Sequence, residues 1–323
     1  MLTVVIPALN EAKAIIETID RIRQVLEAAG IQHEIIVVND GSTDETGALA
    51  RSRDVRVLDH PSPGGYGLSL KHGILAAKYD LISITDADGT YPCERIPELF
   101  NLVHTAGFDM AVGARTGSEY RGTFVKMPAR RVFLWLSEYA TGRKIDDINS
   151  GLRVFRKEIV TRYIGTISNG FSFTTTITLA AMLNGYFVKY IPIAYYKRVG
   201  ASHIRYVRDT LRSLQIIVES VLYYNPLKLF LLVAMVLLSV APVALVGAAA
   251  FRTNVAVCLA FSVLASLSLV GSIGIGAVGL AAVLIRRIAE ADSEVRWRSR
   301  GRFPSPAMER GGDAPTIGAG ADG

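Results

Sequence analysis

Between Leu2 and Val112 the apolar positions alternate between two patterns: short near-continuous runs, and stripes repeating every three or four residues, with Gly, Pro, Asn and Asp at the boundaries. Leu2 to Ile6 predicts a strand. Ile15, Ile19, Ile22 and Leu26 then share one helical face, and Gly30 ends that helix. Glu34 to Val38 predicts a second strand running into Asn39-Asp40-Gly41-Ser42, and Thr43 to Ala50 a short helix opened by acidic Asp44 and Glu45. Val55 to Leu58 and Leu81 to Thr85 predict strands on either side of a helix over Gly67 to Lys78. Glu94 to Thr105 predicts a further helix, and Met110 to Val112 a further strand. Such alternation implies an α/β fold, a mostly parallel sheet covered by helices.

Toward the C-terminus the pattern changes. Pro226 to Phe251 and Val255 to Ile285 contain no Asp, Glu or His, and Lys228 is their only charge. Each exceeds the roughly 20 apolar residues needed to cross a bilayer. They predict a transmembrane hairpin with spans at 226–251 and 255–285 and a turn at Arg252-Thr253-Asn254; soluble core helices of that length and uniform apolarity are rare. Arg205, Arg208, Arg212 and Lys228 precede the first span, Arg286, Arg287, Arg296, Arg298, Arg300 and Arg302 follow the second, and the turn carries Arg252 alone. The bias of basic residues toward the inner side therefore predicts a multi-pass protein of the plasma (inner) membrane with both termini cytoplasmic. Met1 to Ile6 lacks a basic n-region and Pro7 cuts the apolar run short, so no signal peptide is expected. Residues 201–225, with arginines at helical spacing, predict an amphipathic juxtamembrane helix, and 286–323 a basic tail without stable structure.

Composition agrees with a domain plus a membrane anchor: 323 residues, 50% hydrophobic, with a mean hydropathy of +0.32. The net charge of +6 raises the question of nucleic acid. Lys and Arg cluster beside the spans rather than among stacking aromatics, so a lipid bilayer with anionic headgroups is the expected partner and nucleic acid is not. Between Lys126 and Tyr139, Arg130 and Arg131 adjoin Phe133, Leu134, Trp135 and Leu136. That helix suits a membrane interface, or equally a core-facing helix with a solvated basic edge; the apolar spans favour the interface. Cys93 and Cys258 are expected to stay unpaired thiols. Ser268, Ser272 and Gly276 recur at i, i+4 in the second span, a spacing that permits close helix contact within the hairpin or in a homo-oligomer.

The candidate chemistry starts at Asp86-Ala87-Asp88, where two carboxylates follow the apolar run 81–85. Hard cations such as Mg²⁺ or Mn²⁺ prefer carboxylate oxygens, and Mg²⁺ is commonly held by one or two carboxylates plus substrate phosphates. In open α/β sheets ligands bind outside the carboxyl ends of the strands. Pro7 to Asn10, Asp40 and Asp86 to Asp88 all lie at such ends, which predicts one shared site.

Val4-Val5-Ile6-Pro7-Ala8-Leu9-Asn10-Glu11, Val38-Asn39-Asp40-Gly41-Ser42-Thr43-Asp44, Asp86-Ala87-Asp88-Gly89-Thr90-Tyr91-Pro92 and Asp147-Ile148-Asn149-Ser150-Gly151-Leu152-Arg153 occur in this order within residues 1–200. Together they resemble the inverting family 2 glycosyltransferases of GT-A fold, and among these the polyprenyl-phosphate sugar synthases similar to dolichyl-phosphate mannose synthase. The resemblance implies a cytoplasmic GT-A domain over 1–200 that transfers a sugar from a UDP- or GDP-linked donor to polyprenyl phosphate. It implies that Pro7, Asn10 and Glu11 shape the nucleotide pocket, that Asp40 contacts the base, that Asp86 serves the ribose or donor phosphates, and that Asp88, with Asp86, holds the cation. Where such relatives often carry Gln two residues after the second Asp, this chain has Thr90, which leaves the rest of the metal shell to water. For Asp40 a turn-stabilising role is the alternative.

Because a lipid phosphate is already anionic, the implied reaction needs positioning and charge stabilisation more than a strong base. Arg115, Lys126, Arg130 and Arg131 are the candidates for gripping the lipid phosphate, since guanidinium groups bind phosphate bidentately. Asp147 is the candidate on the acceptor side, orienting the attack or fixing an arginine. Lys197, Arg198, Ser202 and His203 form a segment able to close over the diphosphate. A processive polysaccharide synthase is the first alternative, but the one Arg-Trp pair, Arg296-Trp297, follows the last span. A non-catalytic scaffold that binds nucleotide sugars is the second.

Overall fold

The computed structural model describes residues 1–116, 127–196, 215, 218–219, 221–222 and 225–299. They divide into two units, Met1–Asn225 and Pro226–Gly323. The first is built on a seven-stranded sheet of order β3-β2-β1-β4-β6-β5-β7, comprising β1 (Leu2–Ala8), β2 (His33–Asn39), β3 (Arg56–Asp59), β4 (Leu81–Ile84), β5 (Met110–Thr116), β6 (Arg153–Arg156) and β7 (Val188–Ala194). Neighbouring pairs are parallel except those of β6, which runs antiparallel to both β4 and β5.

The period-2 alternation of a strand sends successive side chains to opposite faces, and both faces are covered. Leu2, Val4 and Ile6 of β1 and Ile35 and Val37 of β2 pack with α1 (Ile15–Ala28), α2 (Thr46–Arg51) and α4 (Ile96–His104). Val5, Ile36 and Val38 pack instead with α3 (Tyr66–Ala76), α6 (Lys157–Arg162) and α7 (Phe173–Leu183). The stripe Ile15, Ile19, Ile22 and Leu26 is fully buried, each side chain stabilising the fold by about 1.5–3 kcal/mol. Gly30 closes α1 with a φ of +65°.

The elements expected up to Val112 all form, with shifted ends. The short helix begins at Thr46 rather than Thr43, because Thr43 is drawn to Asn10 and Asp44 accepts from the Thr46 amide at 3.0 Å instead of joining the first turn. Beyond Val112 the chain adds α5 (Met127–Thr141), β6, α6, α7 and β7. On α5, Phe133 and Leu136 are buried, whereas Trp135 is 51% exposed and stacks on Tyr139.

The second unit holds two long helices, α8 (Pro226–Ala250) and α9 (Val255–Ser299). Both have the length and apolarity to cross a membrane, over Pro226–Ala250 and Val255–Ile285. Asn254 ends the turn between them, accepting from the Val257 amide at 3.3 Å. The helices pack through small residues: Ala234, Ala241, Ala244, Ala248, Ala265, Ser268 and Ser272 are buried, and the Ser272 hydroxyl donates to the Ala234 carbonyl at 2.9 Å. Ser272 thus serves the hairpin, while Gly276 faces open space. Helix α9 continues to Ser299, so residues 286–299 of the expected tail are helical. This stretch holds Arg, Ala and Glu, good helix formers, and extending an existing helix costs little compared with nucleating one. Residues 300–323, and most of the helix expected at 201–225, lie outside the described residues.

Candidate active site

At the carboxyl edge of the sheet the segments following β1 and β2 are sewn together. Asn10 has a φ of 56°, a conformation Asn tolerates better than most residues, and this turns its carboxamide toward the second segment. Its Oδ1 accepts from the Thr43 amide at 2.9 Å and its own amide donates to Ser42 Oγ at 3.0 Å. The Glu11 amide donates to Thr46 Oγ1 at 2.9 Å and the Ala12 amide to Asp44 Oδ2 at 3.2 Å. Pro7 lies inside β1 opposite Val38.

Asp40 is buried beside this seam, and its carboxylate anchors the segment 60–65. Oδ1 accepts from the Gly64 amide at 2.8 Å and from His60 Nδ1 at 2.7 Å, and Oδ2 from the Gly65 amide at 2.8 Å. Burial pushes the carboxyl up, but the Gly64 amide, the His60 ring and the Gly65 amide outweigh it and hold the group below its ordinary value. Gly41 is required here twice over: its φ is +68°, and a Cβ would lie 2.7 Å from the Ser62 backbone.

After β4, Asp86 accepts from the Tyr66 hydroxyl at 2.9 Å, and a Cβ on Gly151 would stand 3.0 Å from both its carboxylate oxygens. Asp88 is buried and its Oδ1 accepts from the amide and hydroxyl of Thr90, at 3.1 and 2.6 Å. The Thr90 hydroxyl is therefore turned onto Asp88, orienting that carboxylate. Tyr91 accepts from the Gly151 amide at 2.7 Å. Burial raises both the Tyr66 and the Tyr91 phenols above their ordinary value, for Tyr66 with help from Asp86, so both stay protonated at neutral pH. Among the described residues no three His, Cys, Asp or Glu side chains gather into a metal cage. Asp86 and Asp88 nevertheless fit Mg²⁺ or Mn²⁺, because such ions typically take one or two carboxylates, leaving other positions to water and phosphate oxygens.

Across β6 lies the third part of the edge. Arg115 is the penultimate residue of β5, and its Nε and Nη2 donate to Asp147 Oδ2 and Oδ1 at 2.7 and 3.0 Å, while its amide adds a bond at 3.2 Å. Asp147 is 2% exposed and also accepts from the Asn149 amide at 3.1 Å. Of the two roles open to Asp147 in the sequence, fixing an arginine is the one its contacts display. Burial pulls the Arg115 guanidinium down, but Tyr91 and Asp147 overcome this and raise it above the ordinary arginine value. Arg131 is exposed on α5; Arg130 lies on the same helix. Lys126, Lys197, Arg198, Ser202 and His203 lie outside the described residues.

Other residues shape the edge without having been singled out by sequence. Arg153 is fully buried; its guanidinium donates to the carbonyls of Ser150 and Thr174, both at 3.1 Å, and to Thr178 Oγ1 at 2.9 Å, fixing the 147–151 segment. Lys71 is buried with its Nζ 2.7 Å from the Ile164 carbonyl, 2.5 Å from the Ile167 carbonyl and 2.7 Å from Asn169 Oδ1, tying α3 to residues 164–169. Burial lowers its ammonium below the ordinary lysine value. Arg153 ends the Asp147 to Arg153 motif, but neither it nor Lys71, His60 or Tyr66 has partners at a spacing the sequence exposes. The Cys93 thiol is buried and pushed up to about 12, which makes it unreactive.

Known proteins resemble this chain in sequence and in fold. A polyprenol monophosphomannose synthase of Mycolicibacterium smegmatis is 31% identical over 211 residues, 60% of this chain and 77% of its own. A dolichyl-phosphate hexose transferase of Haloferax volcanii is 29% identical over 63% of this chain and 86% of its own. From the same organism, low-salt glycan biosynthesis hexosyltransferase Agl6 is 29% identical, and the match spans 52% of its length. Among solved structures, glucosyl-3-phosphoglycerate synthase from Mycobacterium tuberculosis in complex with Mn²⁺, UDP and phosphoglyceric acid aligns with a TM-score of 0.57, at 19% identity over 68% of this chain and 78% of that one. That likeness establishes the GT-A fold. The model of glycosyl transferase family 2 matches residues 3–174, which carry the Asn10, Asp40, Asp86 to Asp88 and Asp147 to Arg153 segments, and the chain accordingly belongs to glycosyl transferase family 2 and is a glycosyltransferase.

Proposed function

We propose that this glycosyltransferase moves a sugar from a UDP- or GDP-linked donor to polyprenyl phosphate at the cytoplasmic face of the plasma (inner) membrane, inverting the anomeric carbon. The observation that carries the reading is the pairing of an Asp86/Asp88 edge, at the point where the strand order turns from β1 to β4, with an Arg115 locked by Asp147 on the same edge. Relatives named for transfer to dolichyl, polyprenyl or undecaprenyl phosphate, and the two apolar helices, support the acceptor.

In the proposed reaction a phosphate oxygen of the lipid attacks the anomeric carbon as the bond to the nucleoside diphosphate breaks. Pro7, Asn10, Glu11 and Asp40 form the nucleotide side, with the sewn segments holding it rigid. Asp86 and Asp88 would hold Mg²⁺ or Mn²⁺, which when bound supplies positive charge for the departing diphosphate. Tyr66 and Thr90 keep those carboxylates oriented. Arg115 supplies a fixed positive charge toward the anionic acceptor, with Lys126, Arg130 and Arg131 as further candidates; Lys197, Arg198 and Ser202 would close over the diphosphate. The phosphate nucleophile is already ionised, so positioning rather than proton removal is what these side chains contribute.

The test uses the detergent-solubilised full chain with polyprenyl phosphate, Mn²⁺ and a panel of radiolabelled nucleotide sugars. Lipid-dependent label transfer that disappears on chelation and in Asp88→Ala is the expected result. Transfer that survives both rules out the metal role, and transfer without lipid rules out the acceptor.

A further inference from the structure

We infer that Tyr195 is a positioning residue for Arg115, an inference that rests on the reading of Arg115 as a contact of the lipid phosphate. Asp147 grips Arg115 through Nε and Nη2, whose hydrogens lie in the plane of the guanidinium. Such a two-pronged pair fixes direction within that plane. It does not by itself keep the plane from tipping about the line that joins the two groups. The face of the guanidinium needs its own support, and Tyr195 supplies one: Arg115 Cζ stands over the Tyr195 ring, 5.3 Å from its centroid. The ring quadrupole attracts a cation placed over its face, and a guanidinium held this way keeps its in-plane N–H groups for oxygen acceptors.

The ring is itself held from both sides along the chain. Tyr195 directly follows β7, where Ile191 and Ile193 are buried and the Ile193 carbonyl accepts from Thr116 Oγ1 at 2.8 Å. Beyond it, the Tyr196 amide donates to the Thr90 carbonyl at 3.0 Å. Between these anchors the half-buried Tyr195 ring meets that of Tyr91 in an edge contact, with centroids 5.4 Å apart at 67°. Tyr91 is buried, and Thr90 beside it donates to Asp88 through its amide and hydroxyl. The ring under Arg115 is therefore braced on the same turn that orients Asp88, so one side chain joins the carboxylate part of the edge to its cationic part.

Plain space filling is the competing account. It asks only for bulk at position 195, whereas support of a cation asks for an aromatic face and has no use for the hydroxyl. Phe keeps the face; Leu keeps much of the bulk and loses the face.

The experiment is calorimetric titration of the detergent-solubilised full chain in Mg²⁺ with farnesyl phosphate, a short polyprenyl phosphate, and with farnesol, its uncharged counterpart. Tyr195→Leu should weaken farnesyl phosphate binding by about three- to thirtyfold, the span of a cation–π contact from exposed to desolvated sites, and leave farnesol binding as it is. Tyr195→Phe should bind both as the wild type does. Unchanged farnesyl phosphate binding in Tyr195→Leu overturns the inference. So does an equal loss for farnesol, which marks plain packing, or an equal loss in Tyr195→Phe, which marks the hydroxyl. Arg115→Lys separates the inference from the reading beneath it, because lysine keeps a charge for Asp147 but cannot repeat the fork. Weaker farnesyl phosphate binding in Arg115→Lys, with none in Tyr195→Leu, removes Tyr195 alone. Unchanged binding in Arg115→Lys, or a wild type that does not prefer farnesyl phosphate to farnesol, removes Arg115 as the phosphate contact and Tyr195 with it.

Discussion

Arg115 and Asp147 form a buried, two-pronged ion pair, with side chains 15% and 2% exposed. Removing one partner of such a pair strands the other charge, a loss of about 3–5 kcal/mol. Asp147→Ala should accordingly lower the thermal midpoint of the solubilised chain and depress turnover, whereas a role confined to orienting the acceptor would leave the midpoint in place. Gly151 belongs to the same neighbourhood for a steric reason. Its missing Cβ leaves room for Asp86, so Gly151→Ala should raise the divalent-ion concentration for half-maximal turnover by on the order of tenfold, the size expected when a metal-binding side chain loses its support. Titration of turnover against Mn²⁺ measures this. Asp40, Asp86 and Asp88 were legible as site candidates because three segments converge at the carboxyl ends of strands, although the contacts of Asp40 are also those of a turn-stabilising carboxylate. His60, Tyr66 and Arg153 were not. His60 and Tyr66 each lie 20 residues from the carboxylate they serve, and Arg153 is saturated by neutral oxygens that no charge pattern reveals.

Among elements, the strands whose side chains are buried on both faces were readable as apolar runs, and α1 as a stripe. β6 and β7 escaped for different reasons. Arg153-Val154-Phe155-Arg156 is short and bracketed by charge, and only the fully buried pose of Arg153 makes it a central strand. In β7 half-buried and exposed positions dominate, so the run Val188–Ala194 carries little apolar contrast. Helix α3 is fastened at two levels. The Leu68 amide donates to the Asn169 carbonyl at 2.9 Å, and Lys71 reaches the same segment from one turn further on. Lys71→Met keeps the bulk and removes the donors, leaving buried carbonyls unmatched at a cost of about 1–3 kcal/mol. Faster amide hydrogen exchange across residues 163–170 is the expected signature, with exchange in α1 unchanged.

At the scale of the whole chain, the two units follow the split visible in hydropathy, because a run of apolar residues longer than a bilayer is thick leaves few alternatives. The far end of α9 was less legible: charge after Ile285 reads as tail, yet the helix continues to Ser299. The proposed orientation puts the turn between α8 and α9 outside. Thr253→Cys in a Cys258→Ala background should react with a membrane-impermeant maleimide on intact cells; labelling that requires permeabilised cells reverses the orientation. The reversed strand β6 has a consequence at this scale. Chain leaving β5 at Thr116 and chain entering β6 at Arg153 stand on one edge, so the connection between these strands starts and ends beside the site. Doubling the length of such a connection costs only about 0.6 kcal/mol in closure entropy. One backward strand thus lets the chain before Asp147 change in length at little cost, and under the proposed function that is where a change of acceptor would leave the Asp40 and Asp86 to Asp88 segments as they are.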